Sequence, residues 1–202
     1  LLSLNIKKGD EVITTPLTFC STINSILHVG AIPVLADIDE NTLNIDPKKI
    51  LKKINKKTKA IIVVHFAGLS CDMDEILKIS KKHSIKVIED CAHAIETKYK
   101  NKQAGTIGDT GCFSFYSTKN ITTSEGGMLT TKNKKLADRV KKLRLHGLSR
   151  DAWKRYSNVG KYKTYDIFEP GFKYNLTNMN AALGINQLKK INFLWKKRKK
   201  IW

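Results

Sequence analysis

Arginine is scarce in this 202-residue chain. Of 37 basic side chains, only Arg139, Arg144, Arg150, Arg155 and Arg198 are arginine; the other 32 are lysine. Nucleic-acid readers concentrate arginine and aromatics on one surface, because fork geometry and stacking do the reading. Here lysine is spread over helical stretches such as KKINKKTK, KISKKHS and KNKKLADRVKK. The formal charge of +19 therefore reads as drift toward Lys, Asn and Ile on solvated faces, not as a nucleic-acid patch. Its field would still attract an anionic substrate. Long hydrophobic runs are also missing: nothing approaches a membrane span, and no signal-peptide pattern is present. The four cysteines (Cys20, Cys71, Cys91, Cys112) form no CxxC pair and accompany no histidine cluster. They read as reduced thiols of a cytoplasmic protein, with no metal site expected.

With 41% hydrophobic and 27% charged residues, the chain has ordinary globular composition and can bury a substantial core. Its ends look cut. It opens without Met in LLSLNIKKGD, which reads as the last turn of a helix, and closes mid-helix in LKKINFLWKKRKKIW. A fragment of a longer protein is expected.

Between the ends, short apolar runs alternate with amphipathic stretches. Strands are expected at Glu11–Thr15, Ile32–Asp37, Lys59–Phe66, Lys86–Asp90, Gly111–Tyr116 and Gly127–Thr131. The run KAIIVVHF is apolar throughout, as a strand covered on both faces requires. Helices are expected at Phe19–Val29 (Ile23, Ile26 and Leu27 inward), Pro47–Ile54 behind an Asp46 cap, Asp72–His83 and Asn133–His146. A long terminal helix, with Ala182, Leu183, Ile191 and Leu194 inward, is expected from Asn178 onward. Strands alternating with helices imply an open α/β sheet with a mostly parallel core. The Arg150–Lys173 stretch shows no clear period and reads as a long functional loop.

In such sheets ligands sit beyond the carboxyl ends of the strands. Asp90 ends the run KVIED, Ser114 falls near the end of GCFSFY, and Lys119 follows in a polar stretch ahead of Gly126-Gly127. An acid at one strand end and a lysine delivered near another is the layout of a pyridoxal-phosphate (PLP) site. The amine bonds covalently to the cofactor aldehyde and the carboxylate pairs with the pyridine nitrogen. Each residue also has a plainer reading. Asp90 could cap the turn CAHA, and His93 could be a structural histidine instead of a contact to the ring oxygen. Ser114 could bond within the sheet instead of to a phosphate, and Phe19 could be core instead of a ring-stacking aromatic. Gly126 and Gly127 could admit the cofactor or simply make a turn.

The runs GDEVITTPLTFCSTINSILHVGAIPVLADIDENTLNID, KAIIVVHFAGLSCDMDEI, VIEDCAHAIE, GCFSFYSTKNITTSEGGMLTT, LRLHG and GFKYNLTNMNAALGINQLKKI occur in this order over nearly the whole chain. Together they resemble the DegT/StrS-type PLP-dependent aminotransferases of nucleotide-sugar biosynthesis. The resemblance implies the large domain of a fold-type-I PLP transferase: three layers, with a mostly parallel mixed sheet flanked by helices. That domain would occupy residues 1–177 without its N-terminal part. Residues 178–202 would begin the helix leading to a small C-terminal domain that is largely absent.

The resemblance makes Lys119 and Asp90 the catalytic pair. His93, Ser114 and Phe19 become further cofactor contacts, and Lys173 in GFKYN a contact to the neighbouring subunit's phosphate, where Asn is common in the family. Thr123-Ser124-Glu125 stands where Thr-Gly-Glu is more usual. The implied activity moves an amino group, usually from glutamate, to a keto-sugar nucleotide. It belongs to cell-surface polysaccharide or secondary-metabolite sugar biosynthesis, in a homodimer with its active site at the subunit interface. Neither nucleic acid nor membrane is an implied partner. The isolated chain is expected to be a poor catalyst. Alternatives are sugar dehydration on the same scaffold, or a catalytically incompetent fragment serving as a basic interaction module.

Overall fold

A computed structural model describes residues 1–148 and 166–201. Its centre is a six-stranded sheet of β1 (Glu11–Thr14), β2 (Ile32–Leu35), β3 (Thr58–Val64), β4 (Lys86–Asp90), β7 (Thr110–Ser114) and β8 (Gly127–Thr130). The order across the sheet is β2-β1-β3-β4-β7-β8. All pairs are parallel except the last, where β8 runs antiparallel to β7 with Ser114 opposite Gly127. A small hairpin, β5 (Lys98–Tyr99) with β6 (Lys102–Gln103), stands apart from the sheet. It lacks the usual glycine signal. Lys100 and Asn101 make its turn at φ 45° and 66°, which hides the hairpin from a sequence reading.

The period-two alternation of strand side chains sorts the core onto two faces. Ile13, Ile61, Val63 and Val87 point to one side, where Ile50 of α2 (Pro47–Lys53) and Met73 and Ile76 of α3 (Met73–His83) cover them. Val12, Ala60, Ile62 and Ile88 point to the other, against Ile26 of α1 (Cys20–His28) and Ile6. Each fully buried aliphatic side chain contributes about 1.5–3 kcal/mol of transfer free energy, so the helices are held by this two-sided packing. The result is the α/β fold with a mostly parallel sheet that the pattern called for, in the three layers that the resemblance implied. Asp46 caps α2 as expected, accepting from Lys48 N–H at 2.7 Å with Pro47 in the first turn.

Several details differ from the sequence reading. Leu27 lies on the outer side of α1, 53% exposed, and Thr22 takes the buried place beside Ile26. After α4 (Lys134–Leu143), the expected single terminal helix is two: α5 (Asn178–Lys189) and α6 (Ile191–Ile201). The Lys190 amide bonds to Gln187, three residues back, and the tightened turn ends the first helix. Ala181 and Gly184 sit closer to the body than Ala182 and Leu183, which are exposed. Residues 150–165 of the expected loop lie outside the described residues. Among the described residues, no helix is long and apolar enough to cross a membrane.

Candidate active site

The chain runs from β1 to β2 on one side and then places β3 on the other, so the strand order reverses at β1 and β3, the place where open α/β sheets bind ligands beyond their carboxyl ends. Asp90 ends β4 next door, in register with Val64 of β3 and Cys112 of β7. The first turn of α1 reaches over this edge, and Thr22 Oγ1 donates to Asp90 Oδ2 at 2.9 Å. With the Thr22 proton committed, Thr18 must be the donor in the 2.8 Å Thr18–Thr22 hydroxyl contact. Asp90 Oδ1 accepts from Ala92 N–H at 3.1 Å. The turn-capping role is therefore real, yet each carboxylate oxygen still has acceptor capacity for a further donor.

Lys119 lies in the loop between β7 and β8, half-buried, its amide bonded to Tyr116 O at 3.0 Å. His93, in the turn after β4, is electrostatically tied to both Lys119 and Asp90. Its imidazole is held below the ordinary histidine range, first by desolvation and then by the Lys119 ammonium, with Asp90 pulling the other way. His93 thus lies within electrostatic reach of both Lys119 and Asp90. Ser114 ends β7 on the same sheet edge, its Oγ taking the Tyr116 amide in a long 3.4 Å contact. Phe19 immediately precedes α1 and is 73% exposed, so it is not ordinary core. Lys173 is exposed on the strand-like segment paired with Leu145. No contact among the described residues joins it to Asp90, His93 or Lys119.

The loop glycines answer to protein packing. A Cβ on Gly126 would lie 2.4 Å from Thr123 Oγ1 and 2.8 Å from Leu176 Cδ1; one on Gly127 would lie 2.9 Å from Phe113 O. Ser124, where Gly is more usual, adopts φ 68°, in the left-handed region. His146 also has positive φ and bonds through its amide to Phe172 O, which is a helix-end role.

A second constellation went unseen in the sequence. Glu89 and His65 are wholly buried, with Oε2 and Nε2 3.0 Å apart. His65 Nδ1 accepts from Cys71 N–H, so the ring proton sits on Nε2 and is donated to the carboxylate. Glu89 also accepts from the amides of Gly105, Ile107 and Gly108 at 2.6–2.8 Å. Burial pushes the Glu89 carboxyl up, but these four donors outweigh it and hold the group below the usual carboxylate range. His65, Glu89 and Cys91 offer three ligand atoms within 4.8 Å of one another. The Glu89 oxygens and His65 nitrogens are already engaged, however, and burial with the nearby Glu89 and Asp90 charges keeps Cys91 a thiol. The cluster ties β4 to the 105–108 turn. Only the alternation of β4, which puts Glu89 opposite Asp90, could have drawn attention to it.

The donor set beyond the sheet edge fits PLP chemically. An amine, a carboxylate with spare acceptor capacity, an imidazole, a serine hydroxyl and an exposed aromatic all fall at or just beyond the carboxyl ends of the strands. The fold is that of the fold-type-I aminotransferases. The model of the DegT/DnrJ/EryC1/StrS aminotransferase family matches residues 1–202, and the chain belongs to that family. It is 57% identical over 201 residues to an uncharacterised protein of Methanocaldococcus jannaschii, covering 100% of this chain and 52% of that one. It is 53% identical over 201 residues to the spore coat polysaccharide biosynthesis protein SpsC of Bacillus subtilis, covering 100% of this chain and 51% of SpsC. The PLP form of a Streptococcus pneumoniae protein assigned as a sugar aminotransferase superposes with a TM-score of 0.88 at 35% identity, over 100% of this chain and 54% of that chain. The chain spans about half the length of the curated relatives it matches.

Proposed function

We propose that the protein containing this chain is a PLP-dependent aminotransferase that moves an amino group from glutamate to a keto-sugar nucleotide, acting as a cytoplasmic homodimer. The observation that carries this reading is that Asp90, held by Thr22 and the Ala92 amide, ends β4 at the carboxyl edge of the sheet beside β7, whose following loop carries Lys119. Family membership, the polysaccharide role in the name of SpsC and the PLP form of the pneumococcal relative support it. The net charge of +19 favours an anionic substrate such as a nucleotide diphosphate.

When bound, PLP supplies an aldehyde that captures amines and a ring that accepts the electron pair released from a Cα–H bond. Lys119 Nζ would anchor the cofactor, then, once freed by the amino donor, take the Cα proton and return it, base first and acid second. Asp90 would hold a proton at the ring nitrogen, its orientation fixed by Thr22 and the Ala92 amide. His93 would offer its imidazole to the ring oxygen and Ser114 its hydroxyl to the phosphate. Phe19 would cover the ring face and exclude water. Lys173 would meet the phosphate of the neighbouring subunit.

The test incubates the full-length protein with PLP, ¹⁵N-glutamate and a panel of keto-sugar nucleotides. Glutamate-dependent appearance of a labelled amino sugar is expected. Loss of water from the sugar without any need for glutamate would show dehydration instead.

A further inference from the structure

Three distant segments meet beside Lys119. Glu96 lies in the turn after β4, Asn120 is the residue next to the lysine, and Arg198 stands near the end of α6. Asn120 Nδ2 donates to Glu96 Oε2 at 2.7 Å, Arg198 Nη2 pairs with Glu96 Oε1, and Arg198 Nη1 reaches the Asn120 carbonyl at 3.4 Å. The Glu96 side chain is only 11% exposed. Two further contacts from α5 grip the same loop. Asn180 Nδ2 donates to Glu125 O at 3.0 Å, and Gly184 sits so close to Thr123 that an added Cβ would lie 2.7 Å from its Cγ2.

The choice of residue at 198 is informative. It is an arginine inside WKKRKKI, in a chain where 32 of 37 basic residues are lysine. A planar fork can hold a carboxylate and a carbonyl at once; a single ammonium on a flexible stem holds that geometry poorly. Asn120, the residue that follows Lys119, is thereby fixed through both its side chain and its backbone oxygen.

We propose that Glu96, Asn120 and Arg198 are positioning residues for Lys119, which makes the terminal helix α6 part of the apparatus that presents the amine. This rests on the reading of Lys119 as the covalent anchor. None of the three is asked to touch substrate or cofactor. Their task is to keep the Nζ approach narrow, and misplacement of a reacting group by about 1 Å can cost up to about 100-fold in rate.

The experiment compares the full-length protein with Arg198→Leu, Glu96→Gln and Arg198→Lys variants. Hydrogen exchange of segment 115–126 is followed without cofactor. The rate of covalent capture of added PLP, in which Lys119 Nζ condenses with the aldehyde and releases water, is followed by absorbance. Arg198→Leu and Glu96→Gln should speed exchange of the segment about tenfold and slow capture about tenfold. Arg198→Lys should recover part of both, and it carries the test if the other two fail to fold. Equal exchange and equal capture in wild type and variants would overturn the positioning role while leaving the anchor assignment intact. A lowered melting temperature with unchanged capture would do the same. A wild-type protein that captures PLP at no single lysine would instead defeat the anchor assignment, and this proposal with it.

Discussion

Thr22 of α1 donates its hydroxyl proton to Asp90 at the tip of β4, 2.9 Å away and 68 residues on in the chain. Thr18, just ahead of the helix, supports it through its own hydroxyl. Thr22→Val removes the donor at nearly constant shape. A hydrogen bond to a charged group is worth about 1.5–3 kcal/mol, so this variant should lose about that much stability in urea unfolding. It should also lose turnover about tenfold as Asp90 loses its fixed orientation. Thr22→Ser should retain most of both.

The buried Glu89–His65 pair is held by four donors to one carboxylate. Glu89→Gln turns an amide NH₂ toward backbone N–H groups and should destabilise the fold by about 3 kcal/mol. The pH dependence has a definite sign. A carboxyl held below its unfolded value of about 4.3 gives full stability above that pH and loses it as pH falls through the lower folded value. The wild type should therefore soften below about pH 4.3, and Glu89→Gln should lack this component of the acid limb when ΔG of unfolding is followed against pH.

His93 reports on the site directly. Desolvation and the Lys119 ammonium both depress its basicity, and Asp90 raises it. An NMR titration should place the imidazole below the ordinary histidine value. Lys119→Met should raise it, because a like charge is removed, and Asp90→Asn should lower it further. If neither substitution moved the titration, His93 would not lie within electrostatic reach of either group.

Ser124 carries a side chain at φ 68° in an exposed turn, where a glycine would sit without steric cost. Ser124→Gly should stabilise the loop, raising ΔG of unfolding by about 0.5–1 kcal/mol after the extra freedom of glycine in the unfolded chain is counted. Thermal melting with and without the substitution measures it.

Much of this was legible in the sequence, for physical reasons. Strands covered on both faces must be apolar throughout, so β3 announced itself, and α2 was marked by Asp46 and Pro47 at its start. Asp90 and Ser114 stood out because open sheets put ligands at carboxyl strand ends. What stayed hidden depends on contacts between distant segments. Glu89 looks like any charged residue in KVIED until its four donors are seen. Thr22 reads as one polar residue on a helix, and Glu96 and Arg198 lie 102 residues apart. The outward turn of Leu27 and the break at Lys190 are decided by what packs beside them, which helical periodicity alone does not contain.

The most direct measurement is the site of covalent capture. The full-length protein is incubated with PLP, reduced with borohydride, digested and mapped by mass spectrometry. One modified lysine is expected among the 32 in this chain, Lys119, with the label abolished in Lys119→Arg and weakened in Asp90→Ala. Label scattered over surface lysines, or undiminished in Lys119→Arg, would contradict the assignment.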